Sequence, residues 1–317
     1  MGLGYTPAMD DRAIERERAY NLWTSFARKL DAVARATTVE PQPDFDLTQI
    51  GGLDTPKEEI QTYACGATNP EVYERWGTYP PSGLLLIGRQ GVGKSLLAKA
   101  LAALTHTAFV DVAVPHLVIE VIHRGGNVGQ LLAGWSEVLS EMPPVTVFFN
   151  ELEFSQAREI GARRPDLPVG PVMDLLLDIV DRTISAEGVL VVGSTSHPET
   201  LRPAFVLPGR FERIVEVTPI FPDDVVLALQ IHAQAAEKRA GHRLFAAIDW
   251  RNVVGQHRGP ATSDWVRILH AVLRRKARCE AAGEAASLAD TQDFVDEVRR
   301  FLKTSDRLAV PMAGNYV

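Results

Sequence analysis

The segment GRQGVGKS, Gly88 to Ser95, constrains the fold more than any other stretch of the chain. It satisfies the spacing G-x-x-x-x-G-K-[ST], and it lies between an apolar run, SGLLLI, and a stretch of helix formers, KSLLAKALAAL. Strand, glycine-rich turn and helix in that order aim backbone N–H groups and a helix N-terminus at one point, an arrangement that holds phosphate. The glycines allow the backbone to approach an anion. Lys94 then reaches the β- and γ-phosphates of a nucleotide, and the Ser95 hydroxyl is a magnesium ligand. Gly88, Gln90, Gly91, Val92, Gly93, Lys94, Ser95 and Leu96 are the candidate nucleotide contacts. The alternative is a glycine-rich strand-to-helix turn that binds nothing.

The rest of the chain supplies the sheet such a turn requires. GLLLIG, TAFVDVAV, VTVFF and GVLVVGS are short, β-branched or aromatic, and bounded by turn residues. These are the marks of parallel strands buried on both faces by crossover helices. After IVEVTPIFPDD the strands stop, and Asp223–Ala240, Thr262–Ala281 and Thr291–Lys303 carry apolar residues at helical spacing behind plausible caps. Residues 11–36 read as one N-terminal helix with Leu22, Trp23, Phe26, Leu30 and Val33 on a stripe, and the Pro-containing TTVEPQPDFD reads as a linker. The expectation is an α/β fold, a P-loop NTPase parallel sheet with helices on both faces followed by a small all-α domain. Its parts are residues 1–45 (helix and linker), 46–221 (nucleotide-binding), 222–303 (helical) and 304–317 (tail).

Composition bounds the function. With 317 residues, 46% of them hydrophobic, the chain buries a substantial core, and its net charge of -7 gives no general attraction to nucleic acid or anionic lipid. Arg274-Arg275-Lys276 reads as a solvated helix face. Cys65 and Cys279 stand far apart with no metal-ligand partners, which fits a reducing cytoplasm. No stretch approaches the ~20 apolar residues of a membrane span, and no signal-peptide core opens the chain.

VTVFFNELEF, Val145 to Phe154, raises the sharpest question about chemistry. A strand next to a phosphate loop is expected to end in one residue for the magnesium shell and one that polarises the attacking water; here these are Asn150 and Glu151. Asparagine offers a carbonyl oxygen to a metal-bound water but no charge, while Glu151 keeps the general-base role. Loss of an outer-shell partner costs about 10–100-fold in metal affinity or activity, so the expected effect is attenuation. The other reading is that Asn150 caps the strand and nucleotide is only held.

Together DLTQIGGLDTPKEEI, PPSGLLLIGRQGVGKSLLAKALA, PPVTVFFNELEF and GVLVVGSTSHPETLRPAFVLPGRFERIVEV resemble the AAA family of AAA+ ATPases, the group of the proteasomal ATPases and the membrane-anchored AAA proteases. The resemblance covers roughly residues 46 to 303. It implies ATP and Mg2+ as ligands, a helical lid after the α/β domain, and a homo-oligomer, usually a hexameric ring with ATP between neighbours. By position it places Ile50, Gly51 and Gly52 near the adenine, Gly259 and Ala261 at the lid, Ser196 where the family carries a sensor asparagine, and Arg210 as an arginine acting on the neighbour's nucleotide.

The chain also departs from the family. Leu207 stands where a first trans-acting arginine is usual, and such an arginine is worth about 10³–10⁵ in rate. Arg213 lies nearby, either as a surface ion-pair residue or as a compensating arginine. Thr262 and Ser263 replace the lid's glycine and alanine, altering its contact or capping the next helix. VIHRGGN, Val121 to Asn127, occupies the pore-loop position with no aromatic beyond His123, and Arg124 gives it positive charge. The chain ends AGNYV, and the penultimate Tyr316 resembles the tail by which proteasome-activating ATPases dock a proteolytic ring; the other reading is an unattached, frayed tail. The leading expectation is a slow, cytoplasmic Mg-ATP hydrolase that forms rings and remodels a protein partner. The alternative is an ATP-bound assembly subunit with vestigial hydrolysis, and a DNA-associated regulator is a third possibility that the acidic balance disfavours.

Overall fold

The computed structural model describes residues 9–124, 128–153, 169–285 and 287–309. They form two compact units: one comprises the chain up to Leu47, Asp54–Arg89 and Lys94–Val217, and the other Thr48–Leu53, Gln90–Gly93 and the chain from Thr218 onward. This division differs from the expected boundary at residue 221. It falls a few residues earlier, and it groups two short segments from the first half of the chain with the C-terminal helices.

The first unit is built on a six-stranded sheet. Its strands are β1 (Thr37–Glu40), β2 (Leu84–Ile87), β3 (Ala108–Ala113), β4 (Val145–Asn150), β5 (Val189–Thr195) and β6 (Arg213–Glu216), in the order β1-β3-β4-β5-β2-β6. Every pairing is parallel except β1 with β3. Val145, Val147, Phe148 and Phe149 are fully buried, as a strand covered on both faces must be. Thr146, also fully buried, is satisfied by Thr107, with 2.7 Å between the hydroxyl oxygens. The described helices of this unit are α1 (Met9–Lys29), α2 (Asp31–Ala36), α3 (Asp54–Thr68), α4 (Pro70–Arg75), α5 (Lys94–Thr105), α6 (Val114–Arg124), α7 (Val128–Glu141) and α8 (Val169–Ile184). Because β2, β4 and β5 run in parallel, their C-terminal ends, Ile87, Asn150 and Thr195, share one edge of the sheet. Ligands of open α/β sheets bind beyond that edge.

Two N-terminal expectations are corrected. The single helix over 11–36 is broken at Leu30, whose extended backbone (φ -132, ψ 99) separates α1 from α2. Residues 37–40, expected in a linker, form β1, paired antiparallel to β3 from Thr37↔Val112 to Glu40↔Phe109. Pro41 and Pro43 follow the strand, and at an edge they interrupt no ladder. The segment is fastened by Trp23, whose indole N–H donates to the Thr37 hydroxyl at 2.9 Å while its ring meets Trp135 edge-on at 5.1 Å.

The second unit is helical: α9 (Asp223–Ala240), α10 (Trp250–Gly255), α11 (Thr262–Ala281) and α12 (Thr291–Ala309). Val225, Leu229, Trp265, Leu269, Phe294 and Val298 form its core. α9 stops at Gly241, whose φ of 74° lets its N–H turn back to the Glu237 carbonyl. α12 continues to Ala309, six residues past the expected end at Lys303. In the basic run on α11, Arg275 pairs with Glu297 and Lys276 with Asp293 at 2.6 Å, so both charges join α11 to α12. Among the described residues no helix is long and apolar enough to cross a membrane.

Candidate functional site

Lys94 opens α5 directly beyond the end of β2 and is only 8% exposed. Its ammonium donates to the carbonyls of Gly88 (2.5 Å) and Arg89 (3.0 Å) and to the Ser196 hydroxyl (3.0 Å). A lysine has three donors, so the loop carbonyls and the end of β5 together fix its head. Burial pulls the ammonium below the ordinary lysine range, and the carboxylates of Glu153 and then Glu151 act in the opposite direction. Ser95 beside it is exposed, and Gly88 (φ 152), Gly91 (φ 79) and Gly93 (φ 110) hold conformations that L side chains resist.

At the end of β4, Asn150 Oδ1 accepts the Ser194 hydroxyl proton at 3.0 Å, and Ser194 Oγ accepts the Glu151 N–H at 3.2 Å. The Asn150 carbonyl oxygen expected to face a metal-bound water is thus already engaged across the sheet, with one lone pair remaining. Glu151 has φ 60, a left-handed conformation that costs a non-glycine residue about 1–2 kcal/mol and that clusters at functional sites. Leu152 N–H, donating to the Ser194 carbonyl at 2.9 Å, holds this sharp turn.

Glu153 was not singled out from sequence. It is 6% exposed, its Oε1 accepts the Ser196 N–H at 3.0 Å, and its Oε2 is buried with no hydrogen-bond partner among the described residues. The available signal was the second acid in NELE; its meaning comes from Ser196, which is distant along the chain.

The residues expected to act in trans lie in the first unit. Arg210 is bonded through all its guanidinium nitrogens: Nε and Nη2 to Asp181 (2.5 and 2.7 Å) and Nη1 to the Ala204 carbonyl (2.5 Å). Arg213 grips Glu59, with Nε to Oε2 at 2.9 Å, and this pairing holds the Glu59 carboxyl below the usual range. Leu207 is 52% exposed.

The second unit brings together the remaining candidates. A Cβ on Gly51 would overlap the Ala228 backbone, and one on Gly52 would overlap the Asp224 carboxylate. Close packing on α9 therefore explains why both are glycine. Asp224, 8% exposed, accepts the N–H groups of Leu53 (3.1 Å) and Ile220 (2.8 Å). Ile50 is buried. A Cβ on Gly91 would overlap the Ser263 side chain and touch Ala261, and the Ser263 N–H donates to the Gly91 carbonyl at 2.9 Å. Capping of α11 falls to Asp264, which accepts the Ala261 N–H at 3.0 Å; the Thr262 hydroxyl is buried with no hydrogen-bond partner among the described residues. Gly259 has open space where a Cβ would stand.

In the expected pore loop, Val121–Arg124 are the last turn of α6; the side chains of His123 and Arg124 and residues 125–127 lie outside the described residues, as does Tyr316. Among the described residues no cluster of three or more His, Cys, Asp or Glu is placed to hold a metal ion. The donor types fit a metal held jointly with phosphate: a hydroxyl at Ser95, an amide at Asn150 and a carboxylate at Glu151, with the buried Lys94 ammonium available to the phosphate. Mg2+ takes few protein ligands beside substrate phosphates and water.

A parallel sheet whose second strand feeds a glycine-rich phosphate loop, with a carboxylate at a nearby strand end, defines a P-loop nucleotide-binding domain. Residues 84–219 match the ATPase family associated with various cellular activities (AAA), so the chain carries an AAA-family domain. AAA ATPases bind ATP with Mg2+. The chain is homologous to proteasome-activating nucleotidases. It is 28% identical over 313 residues to that of Methanothermobacter thermautotrophicus, covering 93% of this chain and 72% of the relative. It is 32% identical over 209 residues both to that of Methanococcus maripaludis and to proteasome-activating nucleotidase 1 of Haloferax volcanii, covering 65% of this chain and 51% of each relative. Against these two the chain spans about half of the relative's length.

Proposed function

We propose that this protein is a slow Mg-ATP hydrolase that assembles into a ring, hexameric by analogy with AAA machines, and remodels a protein partner. The observation that carries the reading is the meeting of Lys94 and Ser196 at the ends of β2 and β5, with Glu151 in a strained turn at the end of β4. Lys94 gives its charge to the β- and γ-phosphates by exchanging a loop carbonyl for a phosphate oxygen. Ser95 and, through water, Asn150 would hold Mg2+, which when bound would offset the phosphate charge. Glu151 takes the proton of the attacking water, and Ser196 orients that water or the γ-phosphate.

A second reading is favoured by one specific observation. Arg210 is fully engaged within its own chain, and Leu207 brings no charge, so a ring could hold ATP without acting on it. The test is Mg-ATP binding, turnover and particle mass for the wild type, Lys94→Ala and Glu151→Gln. Under the hydrolase reading Lys94→Ala abolishes binding, and Glu151→Gln binds ATP and forms rings without turnover. Equal affinity in Lys94→Ala and wild type would sink the site. Rings that bind ATP with no turnover above background in the wild type would establish the holder.

A further inference from the structure

The glycine-rich turn Gln90–Gly93 is held at two points by other residues of the second unit. At the first, the Ser263 N–H donates to the Gly91 carbonyl at 2.9 Å, and a Cβ on Gly91 would stand 2.1 Å from the Ser263 Oγ. At the second, a Cβ on Gly93 would touch the Leu53 side chain at 3.4 Å. Leu53 is buried, and its own N–H is fastened to Asp224 at 3.1 Å.

Ser263 is the second residue of α11, and N–H groups in the first turn of a helix have no acceptor within it. Its donation to Gly91 is therefore a tertiary bond. The peptide unit joining Gly91 to Val92 is planar and trans, since the cis bond of the described residues is Phe221-Pro222. In a trans unit the carbonyl and the N–H point in opposite directions. With the Gly91 carbonyl drawn onto α11, the Val92 N–H is turned away from α11. Gly91 itself, at φ 79, gives this unit little steric resistance to rotation, so the bond from Ser263 selects its orientation. A phosphate loop works by aiming successive backbone N–H groups at one anion. If an N–H is correctly aimed in only a fraction of molecules, affinity falls with that fraction.

We propose that Ser263 is a positioning residue of the phosphate loop: its backbone N–H holds the Gly91 carbonyl and so keeps the Val92 N–H aimed as a phosphate donor. The proposal rests on the reading of Gly88–Ser95 as a phosphate loop. Donation is made by the main chain, so the residue type at 263 matters only where it removes the N–H. A contact that merely packed the turn on α11 would, when disturbed, lower the melting temperature and leave the phosphate affinity of the folded molecules unchanged.

The experiment follows hydrogen exchange of the Ser263 amide by residue-resolved NMR on the full-length chain, alongside affinity for inorganic pyrophosphate and for ATP by calorimetry, and the melting temperature. In the wild type the Ser263 amide should exchange about tenfold or more slowly than an unstructured amide. Saturating pyrophosphate should slow it by roughly a further threefold to tenfold, because coupling between two sites is reciprocal. Ser263→Pro removes the donor in the first turn of a helix, where proline is tolerated. Its pyrophosphate and ATP affinities should fall by about threefold to tenfold, the worth of one ordinary hydrogen bond, and the Val92 amide resonance should shift or broaden. Ser263→Ala keeps the N–H and should bring both the affinities and the Val92 signal back toward wild type. Wild-type affinities in Ser263→Pro overturn the proposal. Where the proline variant does not fold, a wild-type Ser263 amide whose exchange is unmoved by saturating pyrophosphate overturns it equally. If the Ser263 amide is protected and Val92 responds to the proline while the wild type binds neither pyrophosphate nor ATP, the hold on the peptide unit stands and the phosphate-loop reading fails.

Discussion

Arg210 and Asp181 form a two-pronged ion pair, Nε to Oδ1 at 2.5 Å and Nη2 to Oδ2 at 2.7 Å, with the remaining terminal nitrogen on the Ala204 carbonyl. The arginine expected to serve a neighbouring subunit is thus aimed by its own α8. Asp181 is 40% exposed in its side chain and Arg210 23%, so water screens the pair and its coupling should be about 1 kcal/mol or less. If Arg210 acts across a ring interface, Asp181→Ala should leave turnover within about threefold, while Arg210→Ala lowers turnover by tenfold or more and weakens ATP-dependent assembly. Turnover and particle mass of the two single variants and the double variant decide it. Equal losses in both single variants would make the pair structural.

Trp23 tests the N-terminal attachment. It is 1% exposed, stacks edge-on with Phe26 and Trp135, and donates to Thr37 at the start of β1. Trp23→Ala should destabilise the first unit by about 3–5 kcal/mol through the cavity and lost contacts. Hydrogen exchange should then show β1 amides losing protection before those of β4. Protection lost equally in both strands would mean that β1 unfolds only with the whole sheet.

These two cases show what the chain's letters carried and what they did not. β4 was legible because Val145–Phe149 are apolar on both faces, a pattern that burial imposes directly. β1 was not, because Thr37–Glu40 is an edge strand with little burial of its own, held by the ladder to β3 and by a tryptophan 14 residues earlier. The strand, turn and helix around Gly88–Ser95 were legible as local spacing, and Lys94 opens α5 after β2. Glu153 and Asp224 were not, since each acts on backbone N–H groups that only the fold brings near. Gly51 and Gly52 read as nucleotide neighbours, yet α9 packing alone demands their missing side chains.

Asp111 gives the pH dependence a sign. Burial, and then Glu40, push its carboxyl up to about 6 from 3.8, with Lys99 opposing. Lys99 itself pairs with Glu40 at 2.6 Å, and Asp111 Oδ1 is buried with no hydrogen-bond partner among the described residues. The folded state therefore binds this proton more tightly than the unfolded chain does. The stabilisation from Asp111 is full below its ordinary value near 3.8 and is lost as pH rises through about 6. Asp111→Asn should raise the melting temperature at pH 7.5 by about 2–4 °C, the shift for roughly 1 kcal/mol in a chain of this size, with the gain shrinking toward pH 4. A gain independent of pH would remove ionisation as its cause.

Asn150 and Leu207 set the rate question. Asn150 Oδ1 accepts the Ser194 hydroxyl, and an aspartate of the same shape can accept that bond while adding charge on the metal side. Asn150→Asp should raise turnover by about 10–100-fold if the outer-shell cost applies here. Leu207 is half exposed, so an arginine fits there without displacing any core. Leu207→Arg alone should do little while the metal shell lacks its charge. Groups that act on one transition state are non-additive, so the double variant should exceed the product of the single effects. Turnover of the four proteins, measured at saturating Mg-ATP with ring formation checked in each, reads this directly. A double variant that binds Mg-ATP, forms rings and stays at background would mean that catalysis is limited by something other than these two positions, and the ATP-holding subunit would be the better reading.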